Sequence, residues 1–415
     1  NKGTIFMKNR FLALALICLH LNPLQAIFPY NIFRLGWIDQ TIKPYHGKQT
    51  LFKVSAEGAI KTTGQNNLDD HVNILHIWQD NGEQDALTML RGFDANTQIG
   101  KLDSNLNSAS DSSKRGHTIP TADLDAWRIN FVLKHKLPYH LTINILMPVL
   151  GMKLKNVNWV DLTENLTFSD QLVKTNLMNN LAQTVYDLGN GLNITDGWEK
   201  VGMGDMEFIL SWDKSFRQPK PILKNVQLGV YGGLTIPTGV RQNEDLLMSI
   251  PFGNDGSLGL IFGGNIQLQW WQHLRGGIMV NYLQLFGTTR ERRVKTDANQ
   301  TDLLLLAKTT ARKGWGFTQQ YNLYLEWHDL FANWSLRTAY NYIKHNHDRL
   351  SIFNQSYSNE IANTAASLQE WTQHSVTFWL RHESVIWADL HYILPFNGKA
   401  VIQSSFLGGS LGISF

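Results

Sequence analysis

Cysteine is nearly absent from this sequence. Cys18, in an apolar stretch near the start, is the only one among 415 residues. A mature chain cleaved after that stretch would hold no thiol, which excludes disulfides and cysteine-based metal sites. Charged residues are also scarce, at 17% against about a quarter in soluble domains. The net charge of +3 is small and the basic residues are scattered, so the chain has no electrostatic footprint for nucleic acid.

Long apolar runs are missing as well. After the first two dozen residues, no segment approaches the roughly 20 apolar residues that a membrane-spanning helix needs. Aromatic residues are nevertheless abundant, with 14 Trp, 12 Tyr and 20 Phe. A membrane protein without hydrophobic helices has to be a barrel, because only helices and closed barrels satisfy every backbone polar group in lipid.

The start of the chain has the layout of a secretory signal peptide. Lys8 and Arg10 give it a positive start, and residues 11–21 form an apolar core. We therefore expect cleavage after residue 26 and export without a lipid anchor. Residues 27–50, which contain several turn-forming residues, are predicted to be a periplasmic lead-in.

Alternation of apolar and polar residues dominates the rest of the chain. The clearest example is a pair of segments, 127–137 and 139–149, that meet at Pro138. Each arm has the nine to eleven residues that a tilted strand needs to cross a membrane. One face of such a strand meets lipid and the other a wet interior, which predicts a transmembrane hairpin.

The spacing of these strands predicts their number. Short and long connections alternate, as in barrels with short periplasmic turns and long outer loops. If both termini face the periplasm, the strand number is even. The short links are 383–384, 328–333, 271–275, 215–225 and the turn at Pro138; the long ones are 395–403, 345–373, 288–314, 237–257, 150–203 and 61–125.

The fold prediction is an all-β protein: a transmembrane, antiparallel, up-and-down β-barrel over residues 51–415, with short helices in long loops. It has about 12 strands, with 14 as the alternative. Residues 72–79 also alternate, but counting them would give an odd total, so we expect them to fold inward or against a rim. We expect the 61–125 insertion to be a loop or plug and the 150–203 insertion to be helical.

The end of the chain supports the same class. Residues 404–415 alternate in character and finish on Phe415, and they resemble the C-terminal strand of bacterial outer-membrane β-barrels. This resemblance implies an outer-membrane location in contact with lipid. It also implies that the barrel assembly machinery recognises the strand that ends in Phe415.

Two further stretches resemble a particular group of barrels. Residues 202–205 read Gly-Met-Gly-Asp, and residues 234–239 in the next strand read Leu-Thr-Ile-Pro-Thr-Gly. They resemble motifs of the meta-pathway phenol-degradation-like, transporter-like outer-membrane barrels, although Ile236 stands where Leu is commoner. The resemblance implies uptake of small, often hydrophobic molecules, but the motifs are structural and name no substrate.

Charged residues on the inward faces are the candidate site. They either neutralise one another and narrow the water path, or form a constriction that selects solutes by charge. The candidates are Arg128, Lys134, Glu207, Asp213, Glu326, Arg337, Arg381 and Asp389.

Catalysis and metal binding have weaker signals. His345 and His347 lie in an outer loop, where histidines are usually just solvated. His374 and Ser375 are adjacent in a strand, so they face opposite ways and cannot form a catalytic pair unless the strand bulges there. We expect no enzyme, no cofactor and no metal site. The favoured function is an outer-membrane channel or passive transporter for small solutes; a surface-structural or adhesive barrel is the alternative, and an outer-membrane hydrolase comes third.

Overall fold

The computed structural model describes residues 27–28, 41–79, 82–107, 114–331 and 333–415. The predicted signal peptide and Cys18 lie outside these described residues.

Twelve strands form one closed antiparallel wall, as the sequence predicts. Each strand pairs with its neighbours along the chain, and the twelfth pairs with the first from Val401–Gln65 to Ser414–Leu51. The strands are β1 (Thr50–Gln65), β2 (His117–Lys136), β3 (Leu141–Asp161), β4 (two segments, Trp198–Met203 and Met206–Arg217), β5 (Leu223–Ile236), β6 (Gly259–Trp270), β7 (Leu274–Leu285), β8 (Thr318–Phe331), β9 (Trp334–His345), β10 (Trp371–Glu383), β11 (Ile386–Lys399) and β12 (Val401–Ser414).

Several strands run further than the alternation indicated. β1 and β2 leave residues 66–116 between them, and β3 and β4 leave 162–197, so both insertions are shorter than predicted. The predicted long loop at 395–403 is wrong, because only Ala400 separates β11 from β12. Ala400 makes this tight turn with a positive φ of 51°. We call the end of the barrel with the remaining long connections the loop end, and the opposite end the turn end.

The outer surface of the wall is apolar. Large side chains point outward from most strands and stay exposed, as expected of a barrel surrounded by lipid. Aromatic residues gather at the turn end, where barrels carry an interfacial girdle. Outward apolar examples are Leu210, Val230, Phe262, Ile278, Leu323, Leu390 and Leu411, and the aromatic residues at the turn end include Tyr139, Trp271 and Trp327. This exterior is that of a membrane-spanning barrel.

Residues 72–79 do not belong to the wall, in agreement with the parity argument. His71–Val72 pairs briefly with the end of β1, and Ile74–His76 forms a short 3-10 helix. The side chains of Ile74, Leu75 and Ile77 are almost completely buried. The apparent alternation in this segment is therefore the apolar side of a turn that folds against the barrel.

The connections at the loop end close the barrel with an apolar cluster, which we call the outer cap. Within the outer cap, inward-facing residues near the loop ends of β2, β3 and β12 pack against the long connections. Each fully buried Leu or Ile contributes about 1.5–3 kcal/mol, so the cap is a stable element. Its members include Ile74, Leu75, Ile77, Leu87, Met89, Leu90, Leu124, Leu150, Leu177, Val185, Phe252, Leu304, Ile402 and Phe406.

Short helices are part of this loop-end structure. They span Gln98–Leu106, Phe168–Asn176, Leu181–Leu188 and Asn359–Ala362. In the described part of the chain, no helix has the length and apolar character needed to cross a membrane.

A small sheet and a set of ion pairs hold the outer connections together. Thr288–Arg293, Lys308–Gly314 and Arg349–Ile352 form a three-stranded sheet beyond the wall. Arg290 bridges Glu244, at 2.6 Å, and Asp255, at 2.8 Å. These contacts join the connection after β5 to the one after β7.

Two carboxyl groups in this region have shifted pKa values of opposite direction. Burial raises the pKa of Glu244, although Arg290 and Arg292 partly oppose that shift. Burial also acts to raise the pKa of Asp348, but Lys313 and His345 outweigh it and hold the pKa below its usual range. At pH values above the ordinary pKa of an aspartate, ionised Asp348 therefore stabilises the folded protein. This stabilisation is lost as the pH falls through the lowered pKa of Asp348.

The Gly-x-Gly-Asp stretch produces a break in the wall. β4 pairs with the loop-end half of β3 up to Met203, opposite Val149, and with its turn-end half from Glu207, opposite Leu146, on either side of Pro148. At the break, the Asp205 carboxylate accepts hydrogen bonds from the backbone N–H groups of Gly239, at 2.8 Å, and Asn254. Asp205 thus fastens the 237–257 connection to the wall.

Replacing Asp205 with Ala should destabilise the barrel, because the buried N–H of Asn254 and the half-buried N–H of Gly239 would lose a charged acceptor. We expect the free energy of unfolding to fall by about 3 kcal/mol. Urea titration of the barrel refolded in detergent, followed by heat-modifiable migration on gels, measures this change. Asp187→Ala, at an exposed helix position, is the matched control. Equal stability of the two variants would contradict the role given to Asp205.

Candidate functional site

The part of the lumen near the turn end contains a cluster of three arginines around one buried glutamate. Arg275 donates through Nε to Oε1 of Glu326 at 2.8 Å. An Nη1 atom from each of Arg337 and Arg381 lies 3.9 Å and 3.8 Å from the other oxygen, Oε2. Glu326 is directly opposite Arg275 on one neighbouring strand and Arg337 on the other. The antiparallel register therefore assembles this cluster across β7, β8, β9 and β10.

Aromatic rings complete the surroundings of these arginines. The Arg337 guanidinium carbon lies 3.8 Å from the ring centroid of Tyr324 and 5.3 Å from that of Trp379. Arg381 lies between Trp379 and Trp387, at 5.8 Å and 5.2 Å. Such cation–π contacts stabilise a desolvated cation. They also fix the guanidinium planes against the lumen wall.

A second charged cluster lies beside the first, on β1, β2 and β11, and its Asp389 is directly opposite Arg381 in the β10–β11 ladder. Lys53 donates to Asp389 at 2.9 Å, and Arg128 donates to Glu57 at 2.5 Å. His391 connects the two pairs, with Nδ1 3.0 Å from Asp389 and Nε2 3.5 Å from Glu57. Removing one member of such a buried group costs about 3–5 kcal/mol, because its partner remains charged and buried.

Residues Thr41–Pro44 enter the lumen at the turn end. Lys134 donates to the carbonyl oxygen of Ile42 at 3.0 Å, and Arg337 donates to the Thr41 hydroxyl at 2.8 Å. Lys43 forms an ion pair with Asp213. We call this stretch the entry segment. These four residues of the predicted lead-in therefore occupy the mouth of the lumen.

Ile27–Phe28 also pairs with the wall from an unexpected position. These two residues pair with Gln403 and Ile402, near the loop end of β12. In this part of β12, one edge is paired with β1. The pairing of the other edge with β11 ends at Phe406, opposite Ile393.

A cavity of about 180 Å³ lies between the two charged clusters. An apolar cavity of about 150 Å³ is large enough to hold benzene, so this one can hold a molecule with a single ring. Its lining combines charged, amide and apolar side chains. Among them are Arg128, Arg381, Asp389, Asn130, Asn322, Asn341, Trp379, Met279, Ile343 and Phe406.

Six of the eight candidate residues lie at or beside this cavity. Arg128, Lys134, Arg337, Arg381 and Asp389 line it, and Glu326 contacts two of these residues. The other two candidates, on β4, lie elsewhere. Glu207 is half-buried in a small recess beside Asp205, and Asp213 is half-buried at the turn end.

Four members of the two charged clusters were not singled out from the sequence. Glu57 and Lys53 lie on the polar face of β1, and His391 shares its face with Asp389, so alternation contained a signal for all three. Arg275 falls in a stretch predicted to be a turn, whereas β7 already begins at Leu274. Which of these residues lie at the same height depends on strand register, which alternation alone does not give.

The histidines and serine considered for chemistry lie in separate environments. The centroid of the His374 ring lies 4.8 Å from that of the outward-facing Tyr342, with the rings tilted by 44°, whereas Ser375 lines the lumen cavity. The two therefore lie on opposite faces of β10. His345 contacts Asp348 at 2.9 Å. Within the described ranges, no group of three or more His, Cys, Asp or Glu residues is arranged to hold a metal ion.

No protein-family model and no curated protein matches this sequence. Among solved structures, the chain is similar to an outer membrane channel from Pseudomonas putida F1, with 9% identity, coverage of 92% of this chain and 100% of that chain, and a TM-score of 0.49. It is also similar to the Pseudomonas putida toluene transporter TodX, with 7% identity, coverage of 94% and 95%, and a TM-score of 0.33. The monoaromatic hydrocarbon channel CymD matches with 9% identity, coverage of 89% of each chain and a TM-score of 0.33. At these values, nothing about a solute follows from the likeness.

Charge reversal at Arg381 should change the ion selectivity of the lumen, because this side chain lines the cavity between the clusters. We expect Arg381→Glu to shift the permeability ratio toward cations severalfold, and Arg381→Gln to shift it less. Planar-bilayer recordings in a salt gradient measure the ratio. Arg217→Glu, at an exposed position on β4, is the control. Unaltered selectivity in both Arg381 variants would refute the constriction.

Proposed function

We propose that this protein is a passive channel for small solutes, including partly hydrophobic ones, in a bacterial outer membrane. The observation that carries the proposal is the lumen cavity. It is enclosed by a membrane-spanning wall, it is large enough for a single ring, and residues of both charged clusters line it. A barrel with a purely structural or adhesive role needs no such interior space.

The two ends of the lumen suggest how passage is controlled. The outer cap covers the loop end, and the entry segment occupies the turn end through contacts with Lys134 and Arg337. A solute that crosses the barrel has to displace part of the cap and then pass the entry segment. The structure thus corresponds to a closed conformation of the proposed channel, and opening requires movement at both ends.

Export and assembly complete the proposal. A cleaved signal peptide would deliver the chain to the periplasm. The barrel assembly machinery would then recognise the strand that ends in Phe415, whose side chain is 61% exposed. Outer-membrane lipid would contact the apolar exterior, while the proposed function needs no enzymatic step, cofactor or metal.

Deleting residues 72–93 should increase solute flux, because this segment contributes much of the outer cap. We expect the initial rate of liposome swelling in a small neutral sugar to rise severalfold. The double substitution Leu166→Ser and Phe168→Ser is the control, since both side chains are about 80% exposed at the loop end. Heat-modifiable migration identifies the folded fraction in every sample.

The deletion also separates the channel from its alternative. An adhesive barrel would show no flux in either form. Absence of swelling in folded samples of both proteins would therefore refute the channel.

Weakening the entry segment should open the turn end. Lys134→Met keeps the length of the side chain but removes the donor to Ile42, so we expect longer open times and a severalfold higher mean conductance. Single-channel recording measures both quantities. Lys214→Met, at an exposed position on β4, is the control. If the two variants conduct alike, the entry segment does not obstruct the lumen through this contact.

A further inference from the structure

Two asparagine side chains on opposite walls of the lumen cavity have an unused acceptor. Asn130 on β2 and Asn322 on β8 both line the cavity, and both are more than nine-tenths buried. The Oδ1 atom of each amide has no hydrogen-bond partner. An amide oxygen can only accept, so each site lacks a donor.

The surrounding network fixes the orientation of the first amide. Nδ2 of Asn130 donates to Oε1 of Glu57 at 3.2 Å and to the Ser55 hydroxyl at 3.1 Å. A carboxylate can only accept hydrogen bonds, so the nitrogen of Asn130 has to face Glu57. Its oxygen is therefore the atom that remains available.

The second amide lies in a chain of polar side chains that are joined by hydrogen bonds. Asn322 donates to Oδ1 of Asn341, whose Nδ2 donates to the Thr377 hydroxyl at 3.1 Å. The chain crosses β8, β9 and β10 at one height. With the amides in this orientation, the chain uses the nitrogen of Asn322 and leaves its oxygen as the available acceptor on this side of the cavity.

Apolar side chains provide the remaining contacts of the same cavity. Those named below come from six strands and would surround the body of a bound molecule. They include Val132, Leu146, Met279, Ile343, Ile393 and Phe406. With a volume of about 180 Å³, the cavity is limited to molecules near the size of one substituted ring.

We propose that the lumen cavity selects uncharged, ring-sized solutes that carry a hydrogen-bond donor, such as a hydroxyl group, over hydrocarbons of the same shape; this inference rests on the proposed function. A donor on the solute satisfies a buried amide oxygen, whereas a hydrocarbon displaces water and leaves that oxygen without a donor. A ligand binds more weakly when it leaves a buried polar group of the site without a hydrogen-bond partner.

Benzyl alcohol and ethylbenzene test this selectivity, because they have the same number of heavy atoms and differ in one terminal group. Equilibrium dialysis against the folded full-length barrel in detergent gives the affinity of each compound. Dialysis against protein-free micelles at the same detergent concentration corrects for partition. After correction, we expect benzyl alcohol to bind about tenfold more tightly than ethylbenzene.

Two variants locate the preference in the cavity. Asn130→Leu and Asn322→Leu each remove an acceptor and keep the branched shape of the side chain, and each should reduce the preference to about threefold or less. Asn176→Leu, at an exposed helix position, should retain the wild-type preference. Heat-modifiable migration confirms folding, and having two cavity variants guards against one that does not fold.

Three outcomes would overturn the inference: equal corrected affinities in the wild type, no binding of either compound, or an undiminished preference in both cavity variants. None of these outcomes requires the channel to fail. Liposome swelling after deletion of residues 72–93 tests passage independently, so a channel without donor selectivity is distinguishable from a barrel that conducts nothing.

Discussion

Backbone hydrogen bonding in lipid is the constraint on which this structure depends. A strand in a membrane finds no water for its polar groups, so each edge has to pair with another strand. Here the requirement is met by the pairing of β12 with β1, which closes the wall. Closure divides every strand into a lipid face and a lumen face, since side chains alternate. The apolar exterior and the charged interior are two results of this one condition.

The lumen then has its own requirement, which is compensation of buried charge. Charges removed from water have to be paired or hydrogen-bonded. Arg128–Glu57 and Arg275–Glu326 meet this requirement between neighbouring strands, and Lys53–Asp389 meets it across the intervening β12. Cross-strand register therefore decides the interior chemistry as much as residue type does. The cavity remains between the clusters because long side chains reach their partners along the wall, not across the lumen.

The sequence predicted the wall well and the interior less completely. Alternation is visible within a short segment, and parity follows from counting the connections. Together they predicted 12 strands and excluded residues 72–79 from the wall. Strand ends were less certain, because hydrogen bonding extends β3 to Asp161 through a mixed polar stretch. The turn at Ala400 was missed for the same reason. Neither boundary carries a periodic signal of its own.

The entry segment shows a different limit of prediction. Thr41–Pro44 has no pattern that distinguishes a lumen ligand from a linker, and its position depends on Lys134 and Arg337, which come from distant strands. Inward-facing charges could be identified by parity, but the pairing of Arg275 with Glu326 required knowledge of register. Glu207 and Asp213 were identified by the same parity and lie elsewhere, since a shared face does not imply a shared height.

The pairing of β1 with β12 also has a consequence for the order of folding. The two strands are separated by about 350 residues, so their ladder has one of the largest loop-closure costs in the chain and should form late. Until it forms, the wall is an open sheet with two free edges. The entry segment immediately precedes β1 and contacts residues of β2 and β9 inside the lumen. We therefore infer that it reaches its position through the open side, before the seam closes, and not by threading through a completed barrel.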